Sequence, residues 1–292
     1  MPSRRLELHG HRGARGLWPE NTRPGFAGAL AIGVSAIEMD VALTRDGIAV
    51  ISHDPILDPD LTRGPDGTWI AAPGALIRTL SHADLAGYDV GRIRPGTPQG
   101  ATFPEQQGMD GVGLPTLADI LTLTPQARLA VELKTFPDRP DWTVPPQAMA
   151  EAVLAVLEAA GALDRTRIIS FDWRALSYLR KARPTLDLGY LTDAETAAAD
   201  RLWWDGASVA DFGGSIPRTV AAQGGRVWGP DFATLTEAEV SEAHALGLLV
   251  NPWTVNEPAD IARLIDWGVG ALTTDYPDRA RAVMAEKGVS LA

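Results

Sequence analysis

The feature that most constrains the fold is a regular alternation of short apolar runs and helical patterns along nearly the whole chain. Eight runs have the length and character of buried strands, at residues 6–11, 36–41, 129–134, 167–171, 186–191, 226–229, 248–253 and 270–274. Helical patterns occur between them, at residues 25–32, 147–160, 173–182, 236–246 and 258–267. Strands that alternate with helices form parallel βαβ units. Eight such strands in 292 residues favour the α/β class and a (β/α)8 TIM barrel over an open doubly wound sheet. We expect residues 1–292 to form a single domain.

One segment should fold back on itself near the second strand. Residues 36–55 read AIEMDVALTRDGIAVISHDP, in which two apolar runs are joined only by Arg45-Asp46-Gly47. This connection is too short for a parallel crossover, so we expect the second run to form an antiparallel hairpin arm. The arm would bring His53 close to Glu38 and Asp40.

A second segment has no regular pattern. Residues 87–113 contain seven glycines and three prolines and show no helical period. Irregular stretches of this length in compact domains are usually functional or mobile. We therefore expect an inserted lid-like loop.

Composition excludes several classes of protein. With 26 basic and 37 acidic side chains, the net charge is −11, which argues against a nucleic-acid partner but not against a phosphate-bearing small molecule. The absence of cysteine excludes a disulfide scaffold and thiolate metal sites.

Hydropathy bears on location. The apolar runs are far shorter than the roughly 20 residues of a membrane helix, so we expect no integral membrane segment. The start, MPSRRLELHGHRG, lacks the apolar stretch of a secretory signal. We expect a cytoplasmic protein, with a periplasmic or secreted one left open if a signal was removed. The oligomeric state is also left open.

Three carboxylates should meet inside the barrel. Glu38 and Asp40 are two residues apart, as are Glu132 and Lys134, so each pair lies on one face of its strand. Three converging acids are unfavourable unless protonation or a cation neutralises them. Oxygen ligands favour Mg²⁺ or Ca²⁺ over zinc. The alternative is that one or two of these acids only form salt bridges in the barrel.

Two histidines and two basic residues would accompany these acids. His11 and His53 fall at the ends of a strand and of the hairpin arm, and they suit an acid and a base for displacement at neutral pH. Arg12 offers a planar fork for phosphate and Lys134 a point charge, unless both pair with neighbouring carboxylates. The other histidines are interpreted as surface or packing residues: His9, His82 and His244.

Three further residues are candidates for contact with a substrate. Trp253 ends the seventh strand and would either line the substrate site or pack at the top of the barrel. Glu20 and Asn21 follow the first strand and would touch substrate, although Asn21 or Thr22 is equally suited to cap a helix before Pro24.

The motifs together resemble the glycerophosphodiester phosphodiesterase family. The segments run in family order from residue 9 to residue 277: HRGARGLWPENT, IEMDVALTRDGIAVISHD, VELK, SFD, WTVN and TDYP. The resemblance implies a (β/α)8 barrel and hydrolysis of a glycerophosphodiester to glycerol 3-phosphate and an alcohol. It also implies that the loop at residues 87–113 is the family's insertion over the active-site mouth. It also implies a set of roles: Glu38, Asp40 and Glu132 would hold the divalent cation, His11 and His53 would be the acid/base pair, and Arg12 and Lys134 would bind phosphate. In the family's proposed route the glycerol 2-hydroxyl attacks phosphorus and water opens the cyclic product.

Two alternatives remain at this level. A phospholipase-type enzyme would act on intact lipids, but the acidic balance and the lack of a basic amphipathic helix argue against it. A non-catalytic barrel that binds phosphorylated ligands would show at least one altered catalytic position. None of the motif positions named above is altered.

Overall fold

The computed structural model describes residues 4–292 of the chain. The described part contains ten strands: β1 Arg5–Gly10, β2 Ala36–Leu43, β3 Ala49–Ile51, β4 Arg128–Leu133, β5 Thr166–Ser170, β6 Asp187–Thr192, β7 Val227–Pro230, β8 Leu249–Val250, β9 Ala271–Thr274 and β10 Ser290–Leu291. It contains these α-helices: α1 Arg23–Ile32, α2 His82–Leu85, α3 Pro98–Thr102, α4 Leu117–Leu123, α5 Pro146–Ala159, α6 Trp173–Ala182, α7 Ala194–Ala198, α8 Asp200–Trp203, α9 Ile216–Ala222, α10 Glu237–Ala245, α11 Pro258–Trp267 and α12 Pro277–Glu286.

Eight parallel strands form the barrel. The sheet runs β1-β2-β4-β5-β6-β7-β8, and β9 pairs with β1. Between β8 and β9 the backbone hydrogen bonds are Gly270 N to Val250 O at 3.1 Å and Thr273 N to Pro252 O at 3.0 Å. The ring is therefore continuous, and the predicted (β/α)8 fold is confirmed. Strand β8 is shorter than predicted because proline at 252 has no N–H for the ladder.

The two faces of the strands have different chemistry. On the outer face, apolar side chains such as Leu8, Met39 and Val131 are fully buried in the core under the helices. Inside the ring, alternate residues form a narrow apolar layer of Ala130, Ile169 and Leu191. This layer separates a polar floor at the strand starts from a polar mouth at the strand ends. The mouth is where barrel enzymes place their functional groups.

The predicted hairpin arm is present. Strand β3 pairs antiparallel with β2, with Val41 opposite Ile51 and Leu43 opposite Ala49. The turn uses Gly47 at a φ of 78°, a conformation that glycine adopts without steric cost. The arm delivers His53 to the mouth of the barrel.

The irregular segment 87–113 is part of a longer excursion between β3 and α4. The excursion and the hairpin share a small core of their own, made of Ala42, Val50, Leu57, Ile77 and Leu85. Within 87–113 the expectation of no helix was wrong at one place, because α3 forms at Pro98–Thr102. The Thr97 side chain accepts a hydrogen bond from Gly100 N and proline occupies the first turn, which are strong helix-start signals.

The excursion is fastened to the loop that follows β1. Gln106 Nε2 donates to Arg15 O at 2.8 Å, and Gln107 N donates to Leu17 O at 2.8 Å. Nothing in the described range 4–292 forms a helix long and apolar enough to cross a membrane.

Candidate active site

The loop after β1 takes an unusual backbone path. Arg12 has a φ of 49° and Gly13 a φ of 91°. A Cβ on Gly13 would lie 2.8 Å from the backbone of Gly25, so only glycine fits there. This turn aims the Arg12 backbone N–H at Glu38 Oε2, 2.9 Å away. Strained non-glycine conformations of this kind concentrate at functional sites.

The three predicted carboxylates converge. Strand register places Asp40 beside Glu132 on neighbouring strands β2 and β4. One oxygen from each of Glu38, Asp40 and Glu132 lies within 4.8 Å of the others, and all three residues are buried. Oxygens grouped this closely could be ligands of a single divalent cation.

The charges in this cluster do not cancel. Burial, together with the nearby charges of Asp40 and Glu132, raises the pKa of Glu38 well above its usual range. Burial, opposed by Lys134 but reinforced by Asp40, raises the pKa of Glu132 to about 7. Burial acts in the same direction on Asp40, but Lys134 and Arg12 outweigh it and hold the pKa of that carboxyl well below its usual range.

The donor set fits a hard divalent cation. Asp40 Oδ1 is buried, accepts no hydrogen bond from residues 4–292, and lies 3.5 Å from the Lys134 ammonium. Unsatisfied buried carboxylate oxygens are costly, and a cation relieves that cost. Three oxygen donors from acidic side chains are also the ligand type that Mg²⁺ and Ca²⁺ prefer.

His11 is held by a carboxylate that sequence reasoning did not assign. Its Nδ1 lies 2.6 Å from Asp275 Oδ1, and its Nε2 lies 3.9 Å from Glu38 Oε2. Asp275 also accepts hydrogen bonds from Arg15 Nε at 3.0 Å and Asn256 Nδ2 at 2.8 Å. The ring is thus fixed with Nε2 facing the acidic cluster, the arrangement of an imidazole oriented by an acid.

His53 is held in a similar but more open way. Its Nδ1 lies 2.7 Å from Asp54 Oδ1, and about one third of its side chain is exposed. Desolvation at the cavity wall and the charges of Arg12 and Lys134 lower the pKa of His53 to about 4. The imidazole is therefore neutral at pH 7.

Both predicted phosphate-binding cations sit against the acids. Arg12 Nη1 donates to Glu20 Oε1 at 2.8 Å, and its Nε lies 3.3 Å from Asp40 Oδ2. Lys134 Nζ donates to Glu132 Oε1 at 2.7 Å. The pairing anticipated as the alternative therefore exists, and it leaves both cationic groups at the edge of the cavity.

Asn21 supports the cluster and does not cap a helix. It has a φ of 55°, and its Nδ2 donates to Asp40 Oδ2 at 2.9 Å. Thr22 is the N-cap of α1, since its side chain accepts from Gly25 N. Trp253 is pinned through Nε1, which donates to Gly229 O at 2.8 Å, and its ring meets Phe171 edge to face at 5.3 Å.

Two adjoining cavities open at the mouth. The smaller, about 160 Å³, is lined by His11, Arg12, Arg15, Glu38, His53, Glu132, Lys134, Ile169, Phe171, Leu191, Asn251, Trp253, Thr254 and Thr273. The larger, about 450 Å³, shares five of these residues, namely His53, Glu132, Lys134, Phe171 and Trp253. The two spaces therefore meet around Phe171 and Trp253.

Three residues of the site were given no role from the sequence, and each is a hydrogen-bond partner of a predicted residue or of its partner. Asp275 and Asn256 belong to the TDYP and WTVN segments, and Asp54 follows His53 directly. Their positions at strand ends were the available signal. The missing information was which of the neighbouring carboxylates each histidine would meet.

The sequence of the chain matches a known protein family. The profile described as "Glycerophosphoryl diester phosphodiesterase family" matches residues 11–279. The chain belongs to this family. The resemblance inferred from the motifs is confirmed, and the chain is placed among phosphodiesterases.

Individual relatives of this phosphodiesterase cover nearly the whole barrel. A glycerophosphodiester phosphodiesterase of Bacillus subtilis is 30% identical over 92% of this chain and 83% of its own length. A crystal structure from Silicibacter pomeroyi DSS-3 superposes with a TM-score of 0.89 at 36% identity, covering 100% of this chain and 97% of the other. An Oleispira antarctica phosphodiesterase, solved with the product sn-glycerol-3-phosphate, has a TM-score of 0.71 at 24% identity over 96% of each chain.

Proposed function

We propose that the protein hydrolyses glycerophosphodiesters to glycerol 3-phosphate and an alcohol, with a divalent cation and histidine acid/base catalysis. The observation that carries the proposal is the grouping around one cavity of the acid cluster, the two oriented histidines and two cationic side chains. The relatives named as glycerophosphodiester phosphodiesterases support the reaction, and the product bound to the Oleispira enzyme supports a small-molecule substrate.

Glu38, Asp40 and Glu132 are proposed to hold Mg²⁺ or Ca²⁺. Such an ion withdraws charge from phosphoryl oxygens and so makes the anionic diester accessible to a nucleophile. Burial, to which the charge of Asp40 adds, raises the pKa of both Glu38 and Glu132, and a bound cation would offset this cost of burying the three acids together.

Arg12 and Lys134 are proposed to bind the phosphoryl group. Both are buried among the acids, with only their edges at the cavity. Glu20 and Asn21 act indirectly in this scheme. Glu20 orients the Arg12 guanidinium and Asn21 orients Asp40, each through the hydrogen bond described above.

The two histidines are proposed to act on different sides of phosphorus. His11 lines only the smaller cavity, whereas His53 lines both. We assign His11 to the hydroxyl that attacks and His53 to the alcohol that leaves into the larger cavity. For this role His53 must first take up a proton, which an anionic diester bound at Arg12 and Lys134 favours because it offsets two of the charges that lower the pKa of His53. If the attacking group is the glycerol 2-hydroxyl, the first step is intramolecular and avoids the entropic cost of recruiting water. The second step, with water as nucleophile, exchanges the two roles.

The experiment is release of glycerol 3-phosphate from glycerophosphocholine, measured before and after exhaustive chelation and again after adding Mg²⁺ or Ca²⁺. Loss of activity on chelation and its recovery with the ion are expected, while full turnover without the ion would refute the cation. A deoxy analogue that lacks the 2-hydroxyl tests the cyclic route. Equal rates on both substrates would leave hydrolysis standing and remove that route. Faster turnover of phosphatidylcholine vesicles than of the soluble diester would favour the phospholipase alternative.

Histidine variants test the acid/base assignment. His11→Ala and His53→Ala should each lower kcat by about 10²–10⁴-fold, the contribution of a positioned acid or base. Binding of the metal ion, measured by calorimetry, should persist in both variants because neither ring is assigned as a ligand. Turnover near that of the wild type in either variant would return that histidine to a structural role.

A further inference from the structure

The larger cavity differs in character from the smaller one. The residues that line only the smaller cavity include polar groups that suit glycerol hydroxyls, such as Asn251, Thr254 and Thr273. The larger cavity is walled by five aromatic rings: Phe136, Trp142, Phe171, Trp203 and Trp253. Its volume of about 450 Å³ exceeds what a phosphate and a glycerol occupy, so this space is available to the alcohol part of a diester.

These five rings form an aromatic wall in which four of them pack against one another in two pairs. Phe136 meets Trp203 edge to face at 6.3 Å, and Phe171 meets Trp253 in the same way at 5.3 Å. Edge-to-face pairs leave ring faces available to other groups. Trp142 lies at the rim and already attracts a cation, since the Arg139 guanidinium lies 4.8 Å from its ring centroid. Ring faces bind cations, quaternary ammonium groups above all.

The charge around this wall is negative. Two cations line this cavity, and each is paired with an acid: Arg139 with Asp138 at 3.3 Å and Lys134 with Glu132 at 2.7 Å. These four charges largely cancel. Asp193 and Glu195 also line the cavity, and within residues 4–292 neither carboxylate has an ion-pair partner. Asp193 also caps α7, accepting from Thr196 N at 2.7 Å. An anion would be repelled here, and a cation attracted.

We propose that this cavity is a subsite for a cationic alcohol, specifically a quaternary ammonium alcohol such as choline. The inference rests on the proposed function, because it places the leaving alcohol of the diester. With the phosphoryl group at Arg12 and Lys134, the alcohol passes His53 and enters the aromatic wall. The cation meets ring faces first and the carboxylates Asp193 and Glu195 beyond them.

The test compares three esters of glycerol 3-phosphate by kcat/KM. They are the choline ester, its uncharged isostere with a 3,3-dimethylbutyl group, and the methyl ester, which does not reach the wall. We expect the choline ester to exceed the isostere by about three- to thirtyfold, the range of a cation on aromatic faces. Equal values for these two with good turnover of the methyl ester would overturn the subsite alone. No turnover of any ester would overturn the proposed function.

Variants and inhibitors make the test specific. Phe136→Leu and Glu195→Gln should each reduce the choline-to-isostere ratio by about threefold or more, whereas Glu286→Gln, an exposed acid on α12 away from the cavity, should keep the ratio of the wild type. Choline should inhibit wild-type turnover of the methyl ester more strongly than 3,3-dimethylbutanol does. Stronger inhibition by 3,3-dimethylbutanol, or faster turnover of a dodecyl ester than of the choline ester, would show an apolar subsite and overturn the proposal.

Discussion

The floor and the mouth of the barrel both bury carboxylates on inward-facing strand positions, yet their electrostatics are opposite. At the floor, Glu7 accepts from Arg128 at 2.7 Å and from Arg167 at 2.9 Å, and it lies 3.2 Å from His9 Nε2. At the mouth, Glu38, Asp40 and Glu132 share one small space, and the cations beside them are Arg12 and Lys134.

The pKa values record this difference. Burial alone would raise the pKa of Glu7, but the hydrogen bond with His9 and the charges of Arg167 and Arg128 overcome it and lower the pKa to about 2. At the mouth, burial and neighbouring carboxylates keep the pKa of Glu38 and Glu132 high. Buried acid is therefore not in itself a sign of function. An acid cluster with too few cations is such a sign, because its folding cost needs a compensating ligand.

The largest expected effect is on kcat/KM, when one buried carboxylate is neutralised at the mouth and, for comparison, one at the floor. Glu38→Gln should lower kcat/KM by at least about a hundredfold, since it weakens the proposed cation site and the charge stabilisation that depends on it. Glu7→Gln should leave kcat/KM within about twofold because the floor lies on the far side of the apolar layer. Release of glycerol 3-phosphate at saturating Mg²⁺ measures both.

The variants Glu38→Gln and Glu7→Gln should change the melting temperature in opposite directions when a chelator is present. Glu38→Gln should raise the melting temperature, since it relieves repulsion among three buried acids, and Glu7→Gln should lower it. A melting temperature lowered by Glu38→Gln in chelator would mean that the mouth acids are balanced salt-bridge partners. The comparison between the two ends would then fail.

The mouth was more predictable from sequence than the floor. Glu38 and Asp40 are two residues apart in one apolar run, so their shared direction followed from strand periodicity. The partners of Glu7 were not readable, because Arg128 and Arg167 lie on other strands, with Arg167 160 positions away. His9 was interpreted as a surface or packing residue, and it is buried at 1% exposure against Glu7.

Two features could not be predicted from sequence: which side chain orients His11, and the full extent of the segment between β3 and α4. Asp275 was visible at the end of the last barrel strand, but only the closed ring shows that it meets His11, 264 positions away. The excursion between β3 and α4 was predicted as an irregular loop at 87–113, and its capped helix at Pro98–Thr102 was missed. Five residues are too few for a helical period to be recognised.

A smaller effect is expected from Asp275→Asn. Asp275 lies at the mouth but is paired like Glu7 at the floor, so this variant tests whether pairing or position decides the role of an acid. Asp275 touches His11, Arg15 and Asn256 and lines neither of the two cavities, so we interpret it as a positioning residue. Its replacement should lower kcat by about ten- to a hundredfold, with little change in KM, because the His11 ring loses its fixed tautomer and orientation.

The pH profile separates positioning from simple support of the fold. Asp275 and its hydrogen bond favour the protonated form of His11, against burial and the Arg15 charge, which lower the pKa of that ring. In Asp275→Asn the pKa of His11 should fall further, and the acidic limb of kcat/KM should move to lower pH. A lower kcat with an unmoved limb would indicate a structural role only.

The smallest effect concerns the floor and is measured as stability against pH. Because the pKa of Glu7 is depressed in the folded protein, from its ordinary 4.5 to about 2, its stabilisation is complete above pH about 4.5 and disappears as pH falls towards 2. Linkage gives about 3 kcal/mol for this change in pKa. Chemical denaturation of wild type and Glu7→Gln should therefore differ by about this amount at pH 6, and the two should converge towards pH 2–3. Taking the difference between the two proteins removes the acid titration of the carboxylates that do not contact Glu7. Glu158→Gln is the matched control, since it removes an exposed ion pair with Arg183, and its effect should stay below about 1 kcal/mol at every pH. If the difference in unfolding free energy between wild type and Glu7→Gln is constant from pH 6 to pH 3, packing and hydrogen bonds stabilise the floor and the charge of Glu7 does not. The floor and the mouth would then not differ in the way that their pKa values indicate.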